Sequence, residues 1–192
     1  MRFWPKARSK LYFGCNQCGD CCREMRIPPS HRDILRIQAL QPHRPLAEWL
    51  QVYPVETTHP DAVWLNQKPG MLLLRQQQGA CSFLVDGARC GIYEVRPRVC
   101  RIWPFEHIPG ERALRIAPQH EMLVKLACDA TPVSHTEILD MQAEMDAIAR
   151  EYRAYDLLIQ RWNQQAREAS SEVSASSKYG LEEFIGFLSA KA

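Results

Sequence analysis

The longest regular pattern of apolar positions lies in the last third of the chain. It begins after Ser134-His-Thr-Glu137, which has the sequence of a helix capping box, and its spacings alternate between three and four residues. This pattern predicts one helix that continues to about Glu168, then a flexible hinge over residues 169–178, then a terminal helix. The apolar positions of the long helix are Ile138, Met141, Met145, Ile148, Tyr152, Tyr155, Ile159, Trp162 and Ala166, and those of the terminal helix are Leu181, Phe184, Ile185 and Leu188.

The same spacing is that of a heptad seam, and it allows two arrangements of the long helix. In the first, the helix lies across its own domain with the terminal helix packed beside it. In the second, the helix pairs with a second copy in a homodimer, or with a helical protein partner. The sequence leaves both arrangements open.

The first 130 residues carry shorter patterns, interrupted by most of the chain's 13 prolines. A second capping box, Ser30 to Asp33, predicts a short helix that ends at Gln41-Pro42, and another short helix is expected after Pro45. Residues 53–70 have the composition of an irregular loop. These elements leave little apolar surface from which to build a core.

Two strands are predicted at Met71–Arg75 and Cys81–Val85, joined by a turn, and a second small hairpin is expected over Glu106–Pro118. The resulting fold prediction is a mainly α protein with a small β-hairpin, in which metal organises a cysteine-rich core. We expect residues 1–130 to form the metal-binding domain and residues 131–192 to form a helical C-terminal extension.

Charge and hydropathy exclude several classes of partner. Lys and Arg number 24 against 22 Asp and Glu, so the net charge of +2 predicts neither a nucleic-acid partner nor a membrane surface. The longest apolar run, Met71 to Leu74, is far shorter than a membrane span. The basic first ten residues lack the apolar stretch of a signal peptide, so a cytoplasmic protein is expected.

Eight cysteines are the most informative residues, and four of them fall within the eight residues 15–22. In a reducing cytosol such density favours metal ligation, although the even count leaves disulfides as the alternative. Gly19 is expected to adopt the positive φ of a tight turn within this segment. The candidate metal ligands are Cys15, Cys18, Cys21, Cys22, Cys81, Cys90, Cys100 and Cys128.

The cysteine spacing fits either zinc or an iron–sulfur cluster. Cys15, Cys18 and Cys21, with Cys100 as a remote fourth ligand, have the spacing of ferredoxin-type clusters, and zinc accepts the same thiolates. Because adjacent side chains diverge, Cys21 and Cys22 favour two centres or one binuclear centre. One four-cysteine cluster with four further thiols is the alternative. The sequence decides neither the metal nor which cysteines share it.

Six arginines lie within a few residues of a cysteine, where a guanidinium could donate to sulfur and adjust the redox potential. Arg96 and Arg101 are the best candidates, because Pro97 and Pro104 restrict the backbone around them. No nucleotide-binding loop, nucleophile elbow or zinc-protease motif occurs, so the sequence does not establish that the chain is an enzyme.

The cysteine pattern resembles one known family. Cys15-x-x-Cys18-Gly-x-Cys21-Cys22, together with the Arg96-Pro97-x-x-Cys100-Arg101 segment, is similar to the YkgJ-type CxxCxxCC cysteine-cluster family. That family is described as a zinc- or iron-chelating domain and is often labelled an iron–sulfur oxidoreductase. The resemblance runs from about residue 12 to residue 128 and implies that all eight cysteines bind metal. Flagellin lysine methylases carry a similar cysteine module.

Three functions are therefore expected as alternatives. The first is a cytosolic metal-binding protein, iron–sulfur or zinc, with a role in redox chemistry or electron transfer. The second is a structural double-zinc module that presents the long helix to a protein partner. The third is an enzyme, either a methyltransferase, as the resemblance implies, or an oxidoreductase with an unknown substrate.

Overall fold

The structure is a computed structural model that describes residues 11–86, 89–108, 111, 113–169 and 179–191. Most of the basic N-terminal segment and nearly all of the predicted hinge over 169–178 lie outside the described residues. Within the described part, no helix is both long enough and apolar enough to cross a membrane.

Helices occupy about half of the described chain, and two of them begin at the predicted capping boxes. Ser30 accepts a hydrogen bond from the Asp33 backbone N–H while the Asp33 carboxylate accepts from that of Ser30. Ser134 and Glu137 make the same reciprocal pair before the long helix. The helices are α1 (Asp20–Glu24), α2 (His31–Leu40), α3 (Leu46–Trp49), α4 (Arg98–Ile102), α5 (Glu121–Ala127), α6 (His135–Ala169) and α7 (Leu181–Ser189).

The strands of the described residues form small antiparallel sheets. One has three strands in the order β2-β4-β3, and the others are the pairs β1-β11, β5-β6, β7-β8 and β9-β10. The β9-β10 pair is the predicted hairpin near residues 106–118. The strands are β1 (Tyr12–Gly14), β2 (Leu50–Pro54), β3 (Val63–Leu65), β4 (Lys68–Leu74), β5 (Gln76–Gln77), β6 (Ala80–Cys81), β7 (Leu84–Val85), β8 (Arg89–Cys90), β9 (Phe105–His107), β10 (Leu114–Ile116) and β11 (Asp129–Pro132).

The sequence prediction underestimated this β structure. The expected irregular loop over 53–70 is wrong, because β3 and the first three residues of β4 lie within it and both strands pair in the three-stranded sheet. The turn between β3 and β4 has positive φ at Asn66 and Gln67, a conformation that a glycine would have signalled. The expected hairpin of Met71–Arg75 with Cys81–Val85 is present only next to its turn, where β5 pairs with β6 and the Ser82 N–H donates to the Arg75 carbonyl at 2.9 Å. β4 itself pairs with β2 and β3.

The main core is shared between the cysteine-rich segment and the C-terminal helices. Trp49, Ile34 and Ile37 have no exposed surface, and they belong to the same buried cluster as Trp162 and Phe184. The described structure therefore rests on an apolar core. The packing does not show that metal organises the core, so this part of the fold prediction stays a prediction.

The C-terminal half of α6 uses its heptad seam within the chain. Tyr155, Ile159, Trp162 and Ala166 are all buried. The Trp162 indole donates to the Trp64 carbonyl at 2.9 Å and so ties α6 to β3. These four seam residues pack inside the chain, as in the first of the two predicted arrangements. Association of α6 with a second chain stays a prediction.

Candidate metal centre

Six of the eight cysteines line one cavity, although they come from separate parts of the chain. The cavity has a volume of about 120 Å³. Its cysteines come from the residue after β1, from α1, β6 and β8, and from α4. They are Cys15, Cys21, Cys22, Cys81, Cys90 and Cys100, and we call the space they surround the thiol cavity.

A tight turn brings the N-terminal cysteines to the thiol cavity. Gly19 has a φ of 79°, as predicted, and α1 starts directly after it. The Cys22 backbone N–H donates to the Gly19 carbonyl at 3.0 Å, which closes the turn. As a result α1 packs against β6, and its two cysteines lie beside Cys81.

Aromatic side chains form part of the cavity wall. Phe13, Phe83, Tyr93 and Trp103 all line it. Phe13 and Trp103 meet edge to face, with ring centroids 5.9 Å apart. An apolar wall of this kind lowers the local dielectric constant and strengthens electrostatic interactions inside the cavity.

Four thiols form an electrostatically coupled group at the inner end. Burial raises the pKa of Cys100 well above its usual value, and the neighbouring Cys81, Cys21 and Cys90 raise it further. Burial likewise raises the pKa of Cys81 and of Cys90. The pKa of Cys21 is raised by its hydrogen bond with Cys22 and by burial. We call Cys21, Cys81, Cys90 and Cys100 the inner set.

A second group of thiols lies nearer the β1-β11 pair. The pKa of Cys128 is raised to about 11. Burial is the largest cause, and the nearby thiols of Cys18 and Cys15 are the next largest. Cys128 follows α5 and precedes β11, and the Asn16 side chain donates to the Ala127 carbonyl at 2.8 Å. This bond fixes residue 128 beside the N-terminal cysteines. We call the four remaining cysteines, Cys15, Cys18, Cys22 and Cys128, the outer set, although Cys22 lines the thiol cavity and is hydrogen-bonded to Cys21 of the inner set.

Backbone N–H groups already donate to several of the sulfur atoms. Three cysteine sulfur atoms each accept a hydrogen bond from the backbone N–H of the residue two positions later. The pairs are Cys18 with Asp20, Cys81 with Phe83, and Cys90 with Ile92. In each case the bond lowers the thiol pKa against the effect of burial. Because such bonds favour the thiolate, the form that binds metal, these residues fit a role as ligands.

The thiols surround a space and do not converge on a point. Among the described residues, which include all eight cysteines, no three Cys, His, Asp or Glu side chains are arranged as the ligands of one metal ion. Four thiolates around one zinc ion would place neighbouring sulfur atoms about 3.8 Å apart, from the Zn–S distance of about 2.3 Å and tetrahedral geometry. The structure therefore collects six of the eight cysteines around one cavity, without Cys18 and Cys128, but does not arrange them around a single ion.

The two arginines singled out from the sequence both line the thiol cavity. Arg96 donates to the Tyr93 carbonyl at 2.8 Å and lies over the Tyr93 ring, 3.7 Å from its centroid. Arg101 donates to the Glu94 carbonyl at 3.0 Å and the Arg96 carbonyl at 3.3 Å. Their described hydrogen bonds go to carbonyl oxygens and not to sulfur, yet the charge of Arg96 lowers the pKa of Cys90.

Arg44 is a further cation near the thiols that sequence reasoning missed. It lies over the Phe83 ring at 4.8 Å, donates to the Ser82 carbonyl at 3.3 Å, and its charge lowers the pKa of Cys81. Arg44 is 37 residues from Cys81 along the chain, so a search for arginines near cysteines in sequence could not find it. Only the packing of the segment before α3 against β6 brings it there.

A buried polar network connects the helix of Cys100 to α6, and it was also missed. Arg98 donates to Glu151 at 2.5 Å and to Glu144 at 2.6 Å, while Ser30 donates to Glu151 at 3.1 Å. Asp33, with no exposed surface, accepts the Arg98 backbone N–H at 3.2 Å. The network holds α4, and with it Cys100, between α2 and α6.

Comparison with known proteins gives one match. The model of the family described as "CxxCxxCC: Putative zinc- or iron-chelating domain" matches residues 14–142. The match spans both cysteine sets and extends into the first turns of α6. No curated protein and no solved structure matches the chain.

Proposed function

Because the chain belongs to the CxxCxxCC family of zinc- or iron-chelating domains, we propose that it is an electron-transfer protein with an iron–sulfur cluster. The inner set would hold the cluster and the outer set would hold a second metal. The observation that carries the proposal is the convergence of cysteines from distant parts of the chain on the thiol cavity. The two sets account for all eight cysteines.

A cluster suits the inner set better than a single ion does. Its four thiols border a cavity of about 120 Å³ and have no common point at ligand distance. A cluster of iron and inorganic sulfide fills such a space and is held by four thiolates, whereas one zinc ion requires the sulfur atoms to close around it. This difference in size favours iron–sulfur for the inner set.

The residues around the inner set suit a redox centre. When bound, the cluster would supply one-electron transfer. Arg96 and Arg44 place positive charge near Cys90 and Cys81, which stabilises the anionic thiolates that such a centre requires. The aromatic wall formed by Phe13 and Trp103 restricts water at one side of the cavity.

A structural zinc ion is the second candidate, and it concerns the outer set. Cys15 is exposed, and Cys18 and Cys128 lie near a two-stranded sheet that has little apolar cover of its own. Zinc held by four thiolates would cross-link residues 15–22 to residue 128 and contribute directly to folding. The two assignments are compatible, since they use different cysteines.

Metal analysis of protein purified without oxygen tests the proposal. We expect a brown protein with broad visible absorption, containing iron and acid-labile sulfide, because the inner set would hold a cluster. Zinc is expected in addition, in the outer set. The measurements are elemental analysis, sulfide determination and electron paramagnetic resonance after reduction.

A colourless protein with two zinc ions per chain would contradict the iron–sulfur assignment while leaving metal binding by the cysteines intact. A protein that bound neither metal, even after anaerobic reconstitution with iron, sulfide and zinc, would overturn both assignments.

Metal binding is also expected to release protons. Burial raises the pKa values of Cys81, Cys90 and Cys100, and that of Cys128 to about 11, so these thiols are protonated at neutral pH and must lose their protons to bind metal. Affinity for zinc should therefore rise as the pH increases towards the thiol pKa values and fall as the pH decreases. Calorimetric titration of the metal-free protein with zinc, in buffers of different ionisation enthalpy, measures the protons released. A heat that did not depend on the buffer would contradict this prediction.

A further inference from the structure

A second cavity lies on the far side of α4 from the thiols, between the start of α2 and the middle of α6. Its volume is about 280 Å³, and we call it the arginine cavity. Four of its residues follow one face of α6 at helical spacing, and two of these are alanines whose small side chains leave the space open. The lining residues are Arg32, Arg98, Ala147, Arg150, Glu151 and Ala154.

The guanidinium of Arg98 is held in a fixed orientation in this cavity. Its Nε donates to Glu151 at 2.5 Å and its Nη1 donates to Glu144 at 2.6 Å. Among the described residues its Nη2 has no hydrogen-bond acceptor. Because the two carboxylates already fix the Arg98 side chain, a ligand could accept a hydrogen bond from Nη2 with little loss of side-chain entropy of Arg98.

The other two guanidinium groups stand at the rim. Within the part of the chain that the structure describes, neither Arg32 nor Arg150 makes a hydrogen bond or an ion pair, and both side chains are exposed. Three cations thus border one cavity from three different helices. Guanidinium groups that border one cavity repel one another, and an anion bound between them would relieve this repulsion.

The carboxylates nearby do not neutralise the arginine cavity. Glu151 is 6% exposed and is engaged by Ser30 and Arg98, and Glu144 is engaged by Arg98. Positive charge therefore remains in excess even when both are counted. Planar guanidinium groups suit an acceptor with several oxygen atoms, which can receive two parallel hydrogen bonds from one arginine.

We propose that the arginine cavity is a binding site for a small oxyanion, a phosphate or carboxylate group, held by Arg32, Arg98 and Arg150. This site uses none of the cysteines and does not depend on the metal that they bind. Arg98 is the positioned donor, and the two rim arginines close over the anion from α2 and α6.

Binding of inorganic phosphate to the purified protein tests the proposal, followed by calorimetry and by ³¹P NMR at fixed ionic strength. We expect saturable binding of one phosphate per chain. Arg150→Gln and Arg32→Gln should each weaken it by about tenfold, the loss expected for one charge-assisted hydrogen bond. Ala147→Leu should also weaken it, because the larger side chain occupies the cavity.

Arg153→Gln is the matched control, because Arg153 is exposed on α6 three residues from Arg150 and does not line the cavity. It should bind phosphate as the unaltered chain does. Acetate in place of phosphate distinguishes carboxylate from phosphate recognition, and binding of either one supports an oxyanion site. Equal weakening by Arg153→Gln, equal competition by chloride, or no saturable binding of phosphate or acetate would overturn the proposal.

Discussion

Replacing Cys100 with serine is expected to remove the inner metal while the outer metal stays bound. Cys100 lies at the centre of the inner set, and Cys81, Cys21 and Cys90 all act on its pKa. Loss of a residue that hydrogen-bonds to a metal ligand lowers metal affinity by about tenfold or more, and loss of a ligand itself should lower the affinity further. Iron content and visible absorption of the anaerobically prepared variant should therefore fall at least tenfold, while zinc content should persist.

Cys128→Ser is the matched control, because it removes one thiol from the outer set. Its iron content and visible absorption should be those of the unaltered chain, and its zinc content should fall. If the two variants lost the same metals in the same proportion, the division into an inner and an outer set would be wrong. If Cys100→Ser kept all of its iron, that residue would not be a ligand.

Replacing Glu151 with alanine is expected to lower the free energy of unfolding by about 3 kcal/mol, as is typical when one partner of a buried ion pair is removed. Glu151 is 6% exposed and Arg98 24% exposed, so water compensates the lost contact only in part. The change also leaves the Ser30 hydroxyl without its acceptor. Urea unfolding followed by circular dichroism measures the difference.

Asp146→Ala is the control for this change, since Asp146 is exposed on the same helix five residues earlier. Its unfolding free energy should stay within about 0.5 kcal/mol of that of the unaltered chain. A similar loss in both variants would show that Glu151 contributes only through helix propensity or general charge. No loss in Glu151→Ala would mean that the network does not stabilise the fold.

Local signals in the sequence were enough to predict α2, α3, α6 and α7, whereas α1, α4 and α5 were not predicted. Both capping boxes, at Ser30 and Ser134, lie where the structure has them, because a cap requires only residues three positions apart. The strands were predicted less well. β2 pairs with β4 through residues 16 to 24 positions apart, and the Asn66-Gln67 turn that joins β3 to β4 carries no glycine to mark it.

Some residues of the candidate site could be identified from local sequence signals, and others could not. Spacing alone identified the eight cysteines, together with Arg96 and Arg101, which lie on short segments next to them. Arg44 and Glu151 could not be found, because each reaches the region from an element more than 35 residues away.

The sequence by itself determined the donor chemistry and the long helix. Both depend on residues that are neighbours along the chain, such as Cys15, Cys18 and Cys21 or the seam of α6. Only the tertiary structure decided which thiols share the inner end of the cavity, which arginines lie near them, and that the second half of α6 packs on its own domain. These arrangements depend on burial and on charge interactions between segments that are distant in sequence. Such interactions exist only when the core that contains Trp49, Trp162 and Phe184 has formed.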